Sequence, residues 1–181
     1  TAYLLAVAAE AGWAIPDGAR ARMQGALRNF VTGRAGRDAP LRTADLSIRK
    51  MAALDALSRH EPLEPNLLDS IEIAPNLWPT SAVLDWHGVL RRAEALPERE
   101  PRLAEAEQIL RARLNFQGTT MGFSTERSDY LWWLMVSGDV NANRLLLGFM
   151  ETEAWREDLP RIARGTLARQ QHRRRLAIAP A

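Results

Sequence analysis

No cysteine occurs among the 181 residues, so the chain can form no disulfide, no zinc–thiolate site and no cysteine nucleophile of its own. Lysine is almost missing as well. Lys50 is the single one, and arginine supplies the rest of the 24 basic residues. Against 22 acidic residues the net charge is +2, and the arginines scatter along helix faces instead of lining up. That is the pattern of a solvated surface and gives no footing for a nucleic-acid partner. We read the arginine bias as codon usage in a GC-rich genome. The three histidines, His60, His87 and His172, lie too far apart for metal-ligand spacing, and no His-Glu-x-x-His occurs. No apolar run approaches the roughly 20 residues that cross a bilayer, so no direct membrane span is expected. A Gly-x-Ser-x-Gly elbow is also missing. Gly118 and Gly122 flank Thr119, Thr120 and Met121 without a following lysine, so they read as a linker and not as a phosphate loop. These absences together point to a protein that is not an enzyme and has no catalytic, metal-binding or cofactor-binding residues.

What is present is alanine and leucine at helical spacing. Hydrophobic residues make up 46% of the chain, with few of the β-branched and aromatic types that favour strands. Leu4, Leu5, Ala8 and Ala11 share a helical period, and Gly12 follows as a C-terminal cap. Pro16 opens the next helix, where its missing N–H costs nothing, with Met23, Leu27, Phe30 and Val31 inward and Gly33 at its end. Thr43 can cap a third helix with Ala44, Ile48, Met51 and Ala52 inward, and Asp55 interrupts that stripe one turn later, which predicts a short inward face. A proline-rich break at 60–65 precedes a short helix at 66–73. Thr80 or Ser81 can cap the next helix, with Val83, Trp86, Val89, Leu90 and Ala93 buried and Leu96-Pro97 closing it. Leu103, Ala106, Ile109, Leu110 and Leu114 mark a helix over 101–113. The stretch 115–126 reads as a loop. An apolar segment 130–136, a Ser137-Gly138-Asp139 turn and a helix over 145–150 follow. Asp158 caps a last helix with Leu159, Ile162, Ala163, Thr166 and Leu167 on one face. No strand is expected.

A recurring unit emerges of two helices joined by a Gly or Pro turn, clearest at 2–30 and 130–150. Its spacing is too irregular for a tetratricopeptide or ankyrin array. The fold class is therefore all-α, antiparallel helix pairs that suit either a solenoid or an α/α toroid. Asp85 and His87 sit two apart on a helix and point about 160° away from each other, so His87 reads as a helix-surface residue. The six tryptophans read chiefly as core packing. Trp13 and Trp155 fall at turns, where an aromatic can seal a junction, and one of Trp132 and Trp133 is expected on an inter-helix or inter-domain surface. Arg173, Arg174 and Arg175 read as a solvated terminus. Because Thr1 leads straight into the apolar run 2–9, the chain is expected to be a piece of something larger.

Two stretches carry a resemblance. Leu77-Trp78-Pro79-Thr80-Ser81-Ala82-Val83-Leu84-Asp85-Trp86, with Val89-Leu90 behind it, resembles the LPTSALLDW…IL stretch of bacterial alpha-2-macroglobulins. Trp155-Arg156-Glu157-Asp158-Leu159-Pro160-Arg161, continuing through Gly165 to Arg169-Gln170-Gln171, is similar to their W…D(I/L)PR(L/I)…G…RQQ stretch. The opening Thr1-Ala2-Tyr3-Leu4-Leu5, with Gly12 and Pro16, is similar to their toroid helix starts. The resemblance implies that 1–171 is a helical segment of the thioester-bearing α/α toroid of a periplasmic, envelope-associated protease trap. In many such proteins a Cys-x-Glu-Gln motif near the start of the toroid forms an internal thioester that acylates the captured protease. With no cysteine, this chain cannot form that bond. The implied partners are neighbouring domains of the parent protein first and trapped proteases second. Uncovered apolar faces of an incomplete ring predict self-association. Beyond Gln171 the likeness ends, and 172–181 reads as a basic tail outside the fold. The rival readings are a helical-repeat module that binds a peptide or a subunit and, more distantly, a toroidal enzyme. Prenyltransferases and terpene cyclases of that shape need zinc or aspartate-rich magnesium motifs that this sequence lacks.

Overall fold

The computed structural model describes residues 1–35, 44–71, 73–123 and 136–178. The protein is mostly helical, as an all-α reading requires, with seven α-helices and one small hairpin among the described residues. The chain divides into two compact units, Thr1–Ile109 and Leu110–Ala181.

In the first unit α1 is Ala2–Glu10, and Gly12 closes it in the left-handed region at φ 65°. Only Leu5 and Ala8 of α1 are buried, whereas Leu4 is 61% exposed. Pro16 stands at the N-cap of α2 (Asp17–Val31), with Asp17 in the first turn, and Gly33 follows the helix at φ 76°. The proline-in, glycine-out punctuation is the asymmetry that helix ends favour. α3 (Ala44–Ser58) packs against α1, α2 and the next helix, α4 (Thr80–Arg92). Its expected cap, Thr43, lies outside the described residues. Asp55 does not shorten the inward face: Ala53, Leu54, Ala56 and Leu57 are all buried around it. The expected short helix at 66–73 is a four-residue 3₁₀ turn, Pro65–Leu68, and a second such turn, Pro75–Leu77, leads to Trp78. α4 (Thr80–Arg92) is buried from Thr80 through His87 without a break. Pro79 occupies its N-cap position, so Thr80 and Ser81 begin the helix inside the core and do not cap it with their side chains. α5 is Arg99–Ala112.

In the second unit the expected loop at 115–126 is in part a hairpin. β1 (Leu114–Gln117) pairs antiparallel with β2 (Thr120–Phe123) in the register Phe116↔Met121 and Gln117↔Thr120. Gly118 has φ 63° while Thr119 does not enter the positive region, which is a two-residue type II′ turn with glycine first. Tyr130, Trp132 and Trp133 lie outside the described residues. Ser137 is a true N-cap, its Oγ accepting from Val140 N–H at 3.2 Å, and α6 extends over Gly138–Phe149. α7 (Leu159–Ile178) packs on α6 and β2. Ile162 and Thr166 face inward as expected, but Leu167 is exposed, because the inward face turns to meet the hairpin. Helical backbone continues past Gln171 to Ile178, so most of the basic segment prolongs α7.

Candidate functional site

The strongest clustering of charge in the first unit joins α1, α3 and α4. Asp55 is 4% exposed and accepts from Arg59 Nε at 3.1 Å and from Arg92 Nη2. Arg59 also pairs with Glu10, while Arg92 Nε donates to Ser58 Oγ at 2.9 Å. Burial draws the Arg59 pKa down, but the carboxylates of Asp55 and Glu10 more than offset it, and the net shift is upward. Arg92 is lowered, because burial there, helped by the nearby charge of Arg59, outweighs the carboxylates of Asp55 and Glu10. Gly88 makes room for the group: a Cβ on it would stand 2.9 Å from both Asp55 Oδ1 and Arg92 Nη2. Every charge in this cluster answers another across helices, which is the arrangement of a structural clamp. One signal was available in the sequence, since a carboxylate on an apolar stripe demands a buried cation. The partners, 4 to 37 positions away, were not readable.

His87 is not the surface residue expected. It is 4% exposed, because α4 has no solvent face along that stretch. Its Nε2 lies 3.6 Å from Glu107 Oε1 on α5. Burial, helped by Arg91 and Arg92, lowers its pKa to about 4, so the imidazole is neutral at pH 7 and the pair with Glu107 is not ionic there. The unfolded chain binds this proton near pH 6.5, so the stability tied to neutral His87 is complete well above pH 6.5. It is lost as the pH falls from there towards 4. Between pH 8 and pH 5 we expect a loss of about 2 kcal/mol from this group, at about 1.4 kcal/mol per pK unit. Urea titrations of wild type and His87→Gln check this: the variant should lack most of that slope, and an equal slope in both would refute the assignment.

His60 lines a cleft of ≈ 440 Å³ together with Trp13, Ala14, Ile15, Pro16, Asp17 and Arg20. Trp13 is 68% exposed and seals nothing, contrary to expectation. The polar groups of the cleft are engaged locally: Arg20 Nη2 donates to Asp17 Oδ1 at 2.6 Å, and His60 Nε2–H donates to Leu5 O at 3.2 Å. No nucleophile stands against a base among these lining residues. Lys50, the lone lysine, is likewise structural, buried with Nζ 3.3 Å from Ser70 O.

In the second unit Trp155 does seal a junction. It is fully buried, its ring centroid 4.5 Å from that of Phe149 at a tilt of 43°, with the Arg111 guanidinium 4.1 Å above its ring. Arg111 Nη1 donates to Asp158 at 2.8 Å and its Nη2 donates to Ala154 O. α7 fastens the hairpin by Arg164 Nε donating to Thr119 O at 3.1 Å, and anchors α6 through Arg169 Nε and Asp139 at 2.7 Å. Gly165 lies directly against the Met121 backbone.

No group of three or more potential metal ligands is found among the described residues, and no described helix is long and apolar enough to cross a membrane. Compared with protein-family models, curated proteins and solved structures, the chain matches none.

Proposed function

We propose that this chain is scaffold: a helical segment of the α/α toroid of a bacterial alpha-2-macroglobulin-like protease trap, working in the periplasm and contributing packing and inter-domain contact without chemistry of its own. The observation that carries this reading is where the family-like residues fall. Trp78, Thr80, Ser81, Trp86, Trp155, Ile162 and Gly165 are buried, which supports reading these positions of the two family-like stretches as packing determinants, while Leu77, Arg156, Glu157 and Pro160 of the same stretches face outward. The charges around buried Asp55 support the same view, being spent on one another in the Glu10–Arg59–Asp55–Arg92 clamp. Any thioester belongs to cysteine-bearing sequence outside these 181 residues.

The exposed apolar side chains Tyr3, Leu4, Trp13 and Leu77 in the first unit, and Leu147 and Met150 in the second, favour contact with other protein. They suit neighbouring domains of such a parent, and equally the rival, a helical module that holds a peptide or a subunit. The reading frame upstream of Thr1 discriminates between them. A signal peptide with a lipobox and a long array of β-domains are expected, with a Cys-x-Glu-Gln motif if the parent is one of the thioester-bearing members, and the purified parent should block a protease from large substrates while sparing small ones. A short cytosolic frame would overturn the proposal.

A further inference from the structure

The hairpin of the second unit has one side that is finished and one that is not. β2 lies along α7, with Thr119 O bonded by Arg164 and the Met121 backbone against Gly165. β1 has β2 on one side, and among the described residues nothing pairs with its other edge. The II′ turn makes Gln117↔Thr120 the closing hydrogen-bonded pair, and antiparallel ladders alternate, so Phe116↔Met121 is a non-bonded pair. The N–H and C=O of Phe116 therefore point outward. The edge is Leu-Asn-Phe-Gln, without charge, proline or bulge, and its only guard is its shortness, four residues. Phe116, on the same face of the sheet as buried Met121, is 57% exposed at that margin, with the Arg161 guanidinium 5.6 Å from its ring.

We propose that the outer edge of β1 pairs with β1 of a second copy of this chain, in an antiparallel arrangement with a two-fold axis at Phe116. Self-complementarity singles out this occupant. The axis makes Phe116 and its mate a pair that exchanges both backbone bonds and sets their rings side by side on the face shared with Met121. Asn115 then faces Gln117 of the other copy, two neutral amides able to bond across the strands. The opposing term is the approach of the two Arg161 groups, which Asp158, at 4.0 Å in each copy, only partly offsets. Salt should therefore tighten the pairing by screening that repulsion. Strands of four residues make a small interface, so dissociation is expected on the order of 0.1–1 mM.

Sedimentation equilibrium on the 181-residue chain, from about 10 µM to about 1 mM, tests this directly. Wild type should shift from monomer to dimer, and more readily at higher salt. Phe116→Pro removes only an outward N–H, the one place proline suits an edge strand. It should weaken association at least about tenfold while leaving the melting curve of the unit near that of wild type. Two double variants test the register without relying on proline. N115K/Q117E sets an ammonium group opposite a carboxylate of the other copy and should tighten the dimer. N115K/Q117K sets two ammonium groups against each other there and should weaken it. A wild type that stays monomeric at about 1 mM would overturn the proposal, as would Phe116→Pro associating like wild type or the two double variants behaving alike.

Discussion

Replacing Asp55 with alanine is expected to cost the first unit about 3 kcal/mol, the magnitude seen when one member of a buried ion pair is removed and its partner is left charged. The reason lies in the arginines. Arg59 and Arg92 stay protonated at any ordinary pH, and their side chains are 15% and 30% exposed. Without Asp55, Arg59 keeps Glu10 and Arg92 keeps only the hydroxyl of Ser58. Asp55→Asn retains an acceptor oxygen and should lose less, which separates lost charge from lost shape. In a thermal melt the alanine variant should fall by roughly 10 °C, at about 2–4 °C per kcal/mol for a chain of this length. A loss under about 1 kcal/mol would mean that the cluster is hydrated and contributes as little as a surface pair.

Gly165→Ala should destabilise the second unit by about 2 kcal/mol, although alanine is the better helix former by about 1 kcal/mol. The sign is decided by what the new methyl group meets. A Cβ at Gly165 would stand 2.4 Å from Met121 O and 3.3 Å from Met121 C, and both are backbone atoms of β2. A flexible side chain could swing aside, but a paired strand moves only if the hairpin leaves α7. Gly25→Ala is the control, since a Cβ there meets nothing within 4 Å on α2. That variant should gain up to about 1 kcal/mol from propensity alone. Denaturant titrations of the two variants should thus move in opposite directions, and a stabilised Gly165→Ala would contradict the close approach of α7 to β2.

Helix ends were the most legible part of this fold. Gly12, Pro16 and Gly33 act through backbone conformation, a local property that sequence carries directly. Ser137 was legible as punctuation but misassigned to a turn, because its capping role depends on the Val140 N–H that α6 presents. The hairpin escaped notice for a tertiary reason. Leu114 and Phe116, and then Met121 and Phe123, alternate for only four residues each, too short for a strand to stand alone. What holds them is α7, some 40 residues later. The clamp on Asp55 was half legible, as a charge on an apolar stripe without visible partners. His87 was misplaced because the surface reading assumed that α4 keeps a wet side, and whether a helix has one is decided by its neighbours.

From Thr80 through His87 every position of α4 touches protein, so no residue there is chosen merely by tolerance of water. An ordinary amphipathic helix leaves about half its letters free to drift, but these eight consecutive residues are each constrained by volume, polarity or both. A surface helix such as α2 could be rewritten and still fold. This stretch could not, and it is the segment in which the chain's ancestry would stay written longest.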